Sequence, residues 1–145
     1  MIFLALLVAF LYGLSPILQK VVLNNTHKTV VLVLSSFFYF VASLVFGLYN
    51  WNVMKHGLLN ISMSSIAILA FVAVVTAFIA NLVFLTILGH HDSYFVTALV
   101  ASSPAFTLAL AYFFLQESIN WMGVFGVMLI TIGVIVLAMA KNSSN

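Results

Sequence analysis

The sequence predicts an all-α integral membrane protein with five transmembrane helices, on the strength of its composition and of five long apolar runs. Of its 145 residues, 66% are hydrophobic and 4% are charged, and the mean hydropathy is +1.32. A soluble domain of this size needs a charged surface, which four lysines and two acids cannot supply. Against lipid the surface must be apolar, so the same composition fits a chain that faces hydrocarbon.

The five apolar runs have the length of membrane-spanning helices, for which about 20 residues are needed. They cover residues 2–22, 29–49, 63–88, 93–115 and 121–140. Only the connection at residues 50–62 is longer than a tight loop, so consecutive helices are expected to pack antiparallel as hairpins. No stretch is left for a soluble domain, and residues 1–145 are predicted to form a single membrane domain.

The lysines give a weak indication of orientation. With five spans the two termini lie on opposite sides of the membrane. Lys20, Lys28 and Lys141 fall on the side of the C-terminus, and Lys55 falls on the other side with the α-amino group. The positive-inside rule then favours a cytoplasmic C-terminus, in a plasma or inner membrane. The difference is small, and insertion in both orientations is the alternative.

Polar side chains lie within the first and third helices, where each is costly against lipid. One face of the first helix carries Tyr12, Ser15, Pro16 and Gln19 at helical spacing. Pro16 removes one backbone hydrogen bond and is expected to kink this helix. Asn81 lies near the middle of the third helix, where its amide needs a partner on another helix or water. These residues can either hold helices together or line a cavity, and the sequence leaves both interpretations open.

The fourth helix is expected to be broken within the membrane. Pro104 has no backbone N–H and therefore leaves the carbonyl group of Val100 without its usual donor. Thr97, Pro104 and Thr107 share one polar face, and Ser103 precedes the proline. Broken helices at membrane depth are tolerated where they line a cavity or are buried in protein. The predicted substrate pathway consists of Tyr12, Ser15, Pro16, Gln19, Asn81, Thr97, Ser103, Pro104 and Thr107.

Small residues predict surfaces for close contact between helices. An alanine stripe, formed by Ala98, Ala101, Ala105 and Ala109, runs along the fourth helix about 100° from its polar face. The glycines of the fifth helix fall within roughly 80° of one another. The predicted packing or dimer contacts are Ala101, Ala105, Ala109, Gly123, Gly126 and Gly133.

No catalytic residue, metal site or cofactor is predicted. The sequence holds neither a nucleophile–base constellation nor a Gly-rich phosphate loop, so an enzyme is not expected. The adjacent histidines His90 and His91 are poorly placed to bind one ion, and the chain has no cysteine. Four scattered lysines form no basic stripe, so nucleic acid is not an expected partner. Asp92 and Glu117 both fall in connections, which disfavours an exporter that exchanges the proton of a membrane-embedded carboxylate for a cationic drug.

The opening helix and the closing segment carry recognisable motifs. Residues 12–23, YGLSPILQKVVL, have an aromatic-Gly start, a central proline and a trailing lysine. The segment 102–137 has a proline after small residues, a run that ends in an acid, an aromatic residue and a glycine, and a late Gly-Val pair. Those positions are Pro104, Glu117, Trp121, Gly123, Gly133 and Val134. In order and spacing the chain resembles one EamA-type domain of the drug/metabolite transporter superfamily.

This resemblance implies a five-helix half-transporter that moves a small metabolite by alternating access. Family members commonly carry two such units in inverted orientation, whereas this chain has one. The implied partners are therefore the lipid bilayer, a small-molecule substrate, and a second unit in a homodimer or in a hetero-pair with another half. Two alternatives stay open. One is a flippase for a lipid or lipid-linked sugar, and the other is a non-transporting membrane assembly or structural subunit.

Overall fold

Five helices of membrane-spanning length and apolarity make up most of the protein. The structure, a computed structural model, describes the backbone of residues 1–142 and the side chains of residues 1–140. The side chain of Lys141, which contributes to the orientation prediction, lies outside that range. The five spans are Ile2–Leu23, Lys28–Tyr49, Met63–His90, Ser93–Leu115 and Trp121–Ala140. Every end lies within two residues of the predicted one, and the prediction of an all-α protein with five membrane-length helices is confirmed.

Three of the five spans are single α-helices, and two are built from several segments. The first, second and fifth spans correspond to α1 (Ile2–Leu23), α2 (Lys28–Tyr49) and α8 (Trp121–Asn142). The third span consists of α4 (Met63–Val72), a π-helical segment (Ala73–Ala80) and α5 (Asn81–His90). The fourth span consists of α6 (Ser93–Val100), α7 (Ser103–Leu110) and a second π-helical segment (Ala111–Leu115).

The connection predicted at residues 50–62 is largely helical in the structure. It contains α3 (Trp51–Asn60), a ten-residue helix that begins two residues after α2 ends. The Met54 sulfur lies so close to Gly47 of α2 that a Cβ there would come within 2.8 Å of it. Gly47 thus lets α3 fold against the end of α2. At about 15 Å long, α3 is too short to cross a membrane.

The chain divides into two compact units. One is Ile17–His90, and the other joins Met1–Pro16 with the chain from His91 onward. In the first unit, α2 packs against α5. The core of this contact consists of the buried Val31, Leu32 and Leu85, with Leu23 and Leu82 packed against it. In the second unit, α6 and α7 both contact α8, so the fourth and fifth spans form a hairpin.

Two lysines stabilise the end of the third span. The Lys20 ammonium donates hydrogen bonds to the backbone carbonyls of Leu88 and Gly89, and the Lys28 ammonium donates to the Thr86 hydroxyl at 3.1 Å. The last carbonyls of a helix have no partner within the helix, and they carry the negative end of its dipole. Lys20 therefore supplies donors to the last carbonyls of α5, and Lys28, which is bonded to the Thr86 side chain, adds a positive charge near the same helix end.

Replacing either lysine is expected to destabilise the protein. Lys20→Met and Lys28→Met keep the apolar stem but remove the donor, and each should cost about 1 kcal/mol, or a melting temperature lower by about 3 °C. Thermal unfolding in detergent, followed by circular dichroism, measures the effect. Lys55→Met is the matched control, because Lys55 is exposed on α3. An equal loss in all three variants would contradict the capping role.

Candidate functional site

The fourth span is interrupted at the position that Pro104 predicts. Helix α6 ends at Val100, Ala101 and Ser102 form a turn, and α7 begins at Ser103. The Ser102 N–H donates to the Leu99 carbonyl at 3.2 Å, in the tighter pattern of a 3₁₀ turn. Pro104 then occupies one of the first positions of α7, where its missing N–H costs nothing.

The hydroxyl groups around this interruption are bonded to their own helix. Thr97 Oγ1 donates to the Ser93 carbonyl at 2.7 Å, Ser102 Oγ donates to the Leu99 carbonyl at 2.7 Å, and Thr107 Oγ1 donates to the Ser103 carbonyl at 3.1 Å. Such bonds let a hydroxyl lie inside a membrane without a partner on another helix. Each hydroxyl oxygen keeps its lone pairs, so each can still accept a hydrogen bond from a ligand or from water.

The fourth span ends in an unusual backbone conformation. After the π-helical segment, Gln116 adopts a left-handed conformation with φ of 51°. The backbone N–H groups of Gln116 and Glu117 both donate to the Ala111 carbonyl, the second at 3.3 Å. This reversal directs residues 117–120 toward the start of α8. There the Asn120 side chain accepts a hydrogen bond from the Met122 N–H at 3.0 Å and caps the helix.

A cavity of about 450 Å³ lies between α7 and the start of α8, next to the segment that connects the fourth and fifth spans. We call it the polar cavity. Its lining residues are Ser103, Pro104, Thr107, Leu108, Ala111, Glu117, Ser118, Ile119, Asn120 and Gly123. Glu117 is the only charged residue among them. The cavity therefore joins the interrupted part of the fourth span to the only acid at its C-terminal end.

A second cavity of about 310 Å³ lies between α7 and α8, and we call it the apolar cavity. Its lining residues are Ala105, Leu108, Val124, Val127, Met128, Thr131 and Ile132. Thr131 is the one polar side chain in this lining, and its hydroxyl donates to the Val127 carbonyl at 2.9 Å. Leu108 contributes to the walls of both cavities.

The predicted pathway residues fall into two groups. Ser103, Pro104 and Thr107 come together in the polar cavity. The other six line neither cavity: Tyr12, Ser15, Pro16, Gln19, Asn81 and Thr97. Within this second group Tyr12 is exposed and Pro16 is buried.

Gln19 and Asn81 are polar side chains whose role the local structure does not explain. The Oε1 atom of Gln19 is buried, and within the described part of the chain it has no hydrogen-bond partner. Asn81 is half-buried and follows directly on the π-helical segment Ala73–Ala80. Wide π turns are frequent at functional sites. Both residues keep their place in the predicted pathway as hypotheses.

The predicted packing residues differ in their surroundings. Ala105 lines the apolar cavity and Gly123 lines the polar cavity. Ala101 and Ala109 are exposed on the fourth span. At Gly123, Gly126 and Gly133 an added Cβ would meet no atom within 4 Å, so these glycines are not needed for close contacts inside the chain.

Sequence reasoning missed the part of the polar cavity that follows the fourth span. Glu117, Ser118 and Asn120 follow the predicted fourth span, and the sequence places them in the polar connection between two apolar helices. The polar composition of this connection indicates a functional segment. Its position against α7 depends on the left-handed turn at residue 116, which the sequence does not indicate because Gln rather than Gly occupies that position.

Most of the large apolar side chains on the five spans are exposed. The buried apolar residues of the described chain are Val31, Leu32, Leu85, Leu88 and Val96. Exposed apolar surface of this extent is stable only against lipid or another membrane subunit. Together with the five long helices, it defines a multi-pass membrane protein.

The model of the EamA-like transporter family matches residues 1–139. The protein belongs to this family, whose members are membrane transporters rather than enzymes. The resemblance seen in the opening helix and in the closing segment is thereby confirmed. No curated protein and no solved structure matches the chain.

Proposed function

We propose that this protein is one half of a membrane transporter, which moves a small metabolite by alternating access when paired with a second unit. The polar cavity carries the proposal. It joins a broken span to a polar helix end, which is the arrangement that transporters use where backbone irregularity must face a ligand or water rather than lipid. Membership of a transporter family over 139 residues supports the same function.

The pairing follows from what one unit leaves uncovered. Gly126 and Gly133 of α8 have open space on their side-chain face, and Ala101 and Ala109 of the fourth span are exposed. In lipid, no hydrophobic driving force brings such small-residue surfaces together. They do allow the close packing of helices on which association within a membrane depends. A second copy of the chain, or another five-helix half, is the proposed occupant of this surface.

The apolar cavity favours one other function. A groove lined by Leu108, Val127 and Met128 could take an acyl chain, as a flippase for a lipid or lipid-linked sugar requires. We rank this second, because the polar cavity needs no lipid tail to explain it. The structural-subunit alternative is weaker still, since a scaffold has no use for a polar cavity.

Reconstitution tests the transport proposal. Proteoliposomes are incubated with a defined mixture of small metabolites, and the compounds retained inside are measured by mass spectrometry. Accumulation of at least one compound above protein-free liposomes is expected. Gly123→Leu, which places a side chain into the polar cavity, should abolish it. If only fluorescent lipids move between leaflets, the flippase alternative is correct, and no movement of either class contradicts both.

The orientation proposal has its own measurement. We expect the C-terminus to be predominantly cytoplasmic, because three of the four lysines fall on that side. A C-terminal fusion to a reporter active only in the cytoplasm should give at least fivefold more signal than a fusion to one active only outside. Equal signals would indicate dual insertion, and the reverse ratio would contradict the proposal.

A further inference from the structure

The electrostatics of the polar cavity are set by two helix ends and one side chain. The fourth span ends at Leu115 and the fifth begins at Trp121, so the negative end of one helix dipole and the positive end of another meet beside the cavity. Each end is equivalent to about half an elementary charge, and their effects largely cancel. The full negative charge of Glu117 remains. Within the described chain no salt bridge of Glu117 is formed, and the lining contains no lysine or histidine.

The cavity lining offers both donors and acceptors, because Ser103, Ser118 and Asn120 carry hydroxyl or amide protons, and the Glu117 carboxylate is its one charged group. The Thr107 hydroxyl already uses its proton on the Ser103 carbonyl, so it can only accept. The Glu117 carboxylate accepts as well. A ligand that satisfies both must bring positive charge and N–H donors, which is the chemistry of an ammonium group.

We propose that the polar cavity binds a small organic cation, with its ammonium group at Glu117 and Thr107. The inference rests on the proposed function, because this cation would be the substrate or the charged part of it. A bare inorganic cation fits less well, since a volume of about 450 Å³ is many times the roughly 30 Å³ that one water molecule occupies. Glu117 follows the last residue of the fourth span, so its charge does not have to be held within the apolar part of that span.

Binding can be measured without knowing the natural substrate. The chain has two tryptophans, Trp51 and Trp121, and Trp121 adjoins the cavity residue Asn120. In a Trp51→Phe background, the fluorescence of Trp121 therefore reports on the cavity. Purified protein in lipid nanodiscs is titrated with n-butylamine, with its neutral counterpart 1-pentanol, and with sodium chloride at constant ionic strength. The expected result is saturable binding of n-butylamine at millimolar concentrations, with at least fivefold weaker binding of 1-pentanol.

Three variants assign that binding to the proposed groups. Glu117→Gln keeps the size of the side chain and removes its charge, and it should weaken n-butylamine binding about fivefold, as expected for an exposed ion pair. Glu117→Asp should retain most of the affinity, and Thr107→Val should lower it without a change in helix content. Equal binding by Glu117→Gln and by wild type, or equal affinities for the amine and the alcohol, would overturn the proposal. Saturable binding of sodium ion alone would also overturn it.

The outcome is separable from that of the transport proposal. If the amine binds through Glu117 but nothing is transported in proteoliposomes, the cation site stands and the transporter assignment fails. If an uncharged metabolite is transported and the amine does not bind, transport stands and the cation site fails.

Discussion

Gly126→Leu and Gly133→Leu are expected to weaken association of the protein at least fivefold in lipid and in detergent. Both glycines lie on α8, and at each an added Cβ meets open space within the chain. A leucine there is therefore compatible with the fold of one unit. At a close contact between two units, the same side chain would force the helices apart at a cost of about 1–3 kcal/mol.

Chemical cross-linking and mass measurement of the detergent complex, over a range of protein concentrations, record the change. Circular dichroism should show unchanged helix content, because the substitution adds a good helix former in place of glycine. Gly123→Leu is the matched control on the same helix, since Gly123 faces the polar cavity. A wild-type protein that stays monomeric at every concentration would contradict the pairing proposal itself, independently of the variants.

The spans could be predicted closely from sequence because length and apolarity alone decide them. A single run of about 20 apolar residues is stable in a bilayer as an α-helix, because its backbone N–H and C=O groups must then be hydrogen-bonded within the segment. The interruption of the fourth span was predictable for a similar reason. Pro104 removes a donor wherever it lies in a helix, and the turn at Ala101 and Ser102 is the local consequence.

Helix α3 was not predictable by the same reasoning. Trp51, Met54 and Leu58 fall on one side of it at helical spacing, but ten residues that also include Lys55 and His56 resemble a polar connection. What selects the helix is a tertiary contact. Met54 packs on Gly47, and a glycine within an apolar span gives no sign that another element will lie against it.

The site was predictable in part. The hydroxyl and proline positions of the fourth span follow from helical periodicity, and Ser103, Pro104 and Thr107 do line one cavity. Glu117 and Asn120 join them only through the left-handed turn at Gln116 and the capping of α8. Neither the turn nor the cap follows from helical periodicity. A prediction from the faces of helices therefore places Glu117 and Asn120 in a loop.

Thiol labelling is expected to distinguish the polar cavity from the lipid-facing surface with a rate difference of at least tenfold. The chain has no cysteine, so each introduced one reports alone. Ser103→Cys and Thr107→Cys should react with a small membrane-impermeant reagent, because the cavity they line extends to the polar residues at the end of the span. Ala109→Cys should resist, since Ala109 is exposed on the same span but lines neither cavity and would face lipid or a second unit.

Adding Gly123→Leu to Thr107→Cys should slow labelling of that cysteine strongly, whereas adding Gly126→Leu should not. Gly123 lies in the cavity lining with no atom within 4 Å of an added Cβ, so a leucine can enter the cavity without displacing the backbone. Gly126 has the same open space but lines neither cavity. The pair therefore separates obstruction of the cavity from a general effect of a bulky residue on α8.

Fast labelling of Ala109→Cys with slow labelling of Thr107→Cys would mean that the water-accessible and packing faces of the fourth span are exchanged. The pathway would then have to follow the alanine stripe.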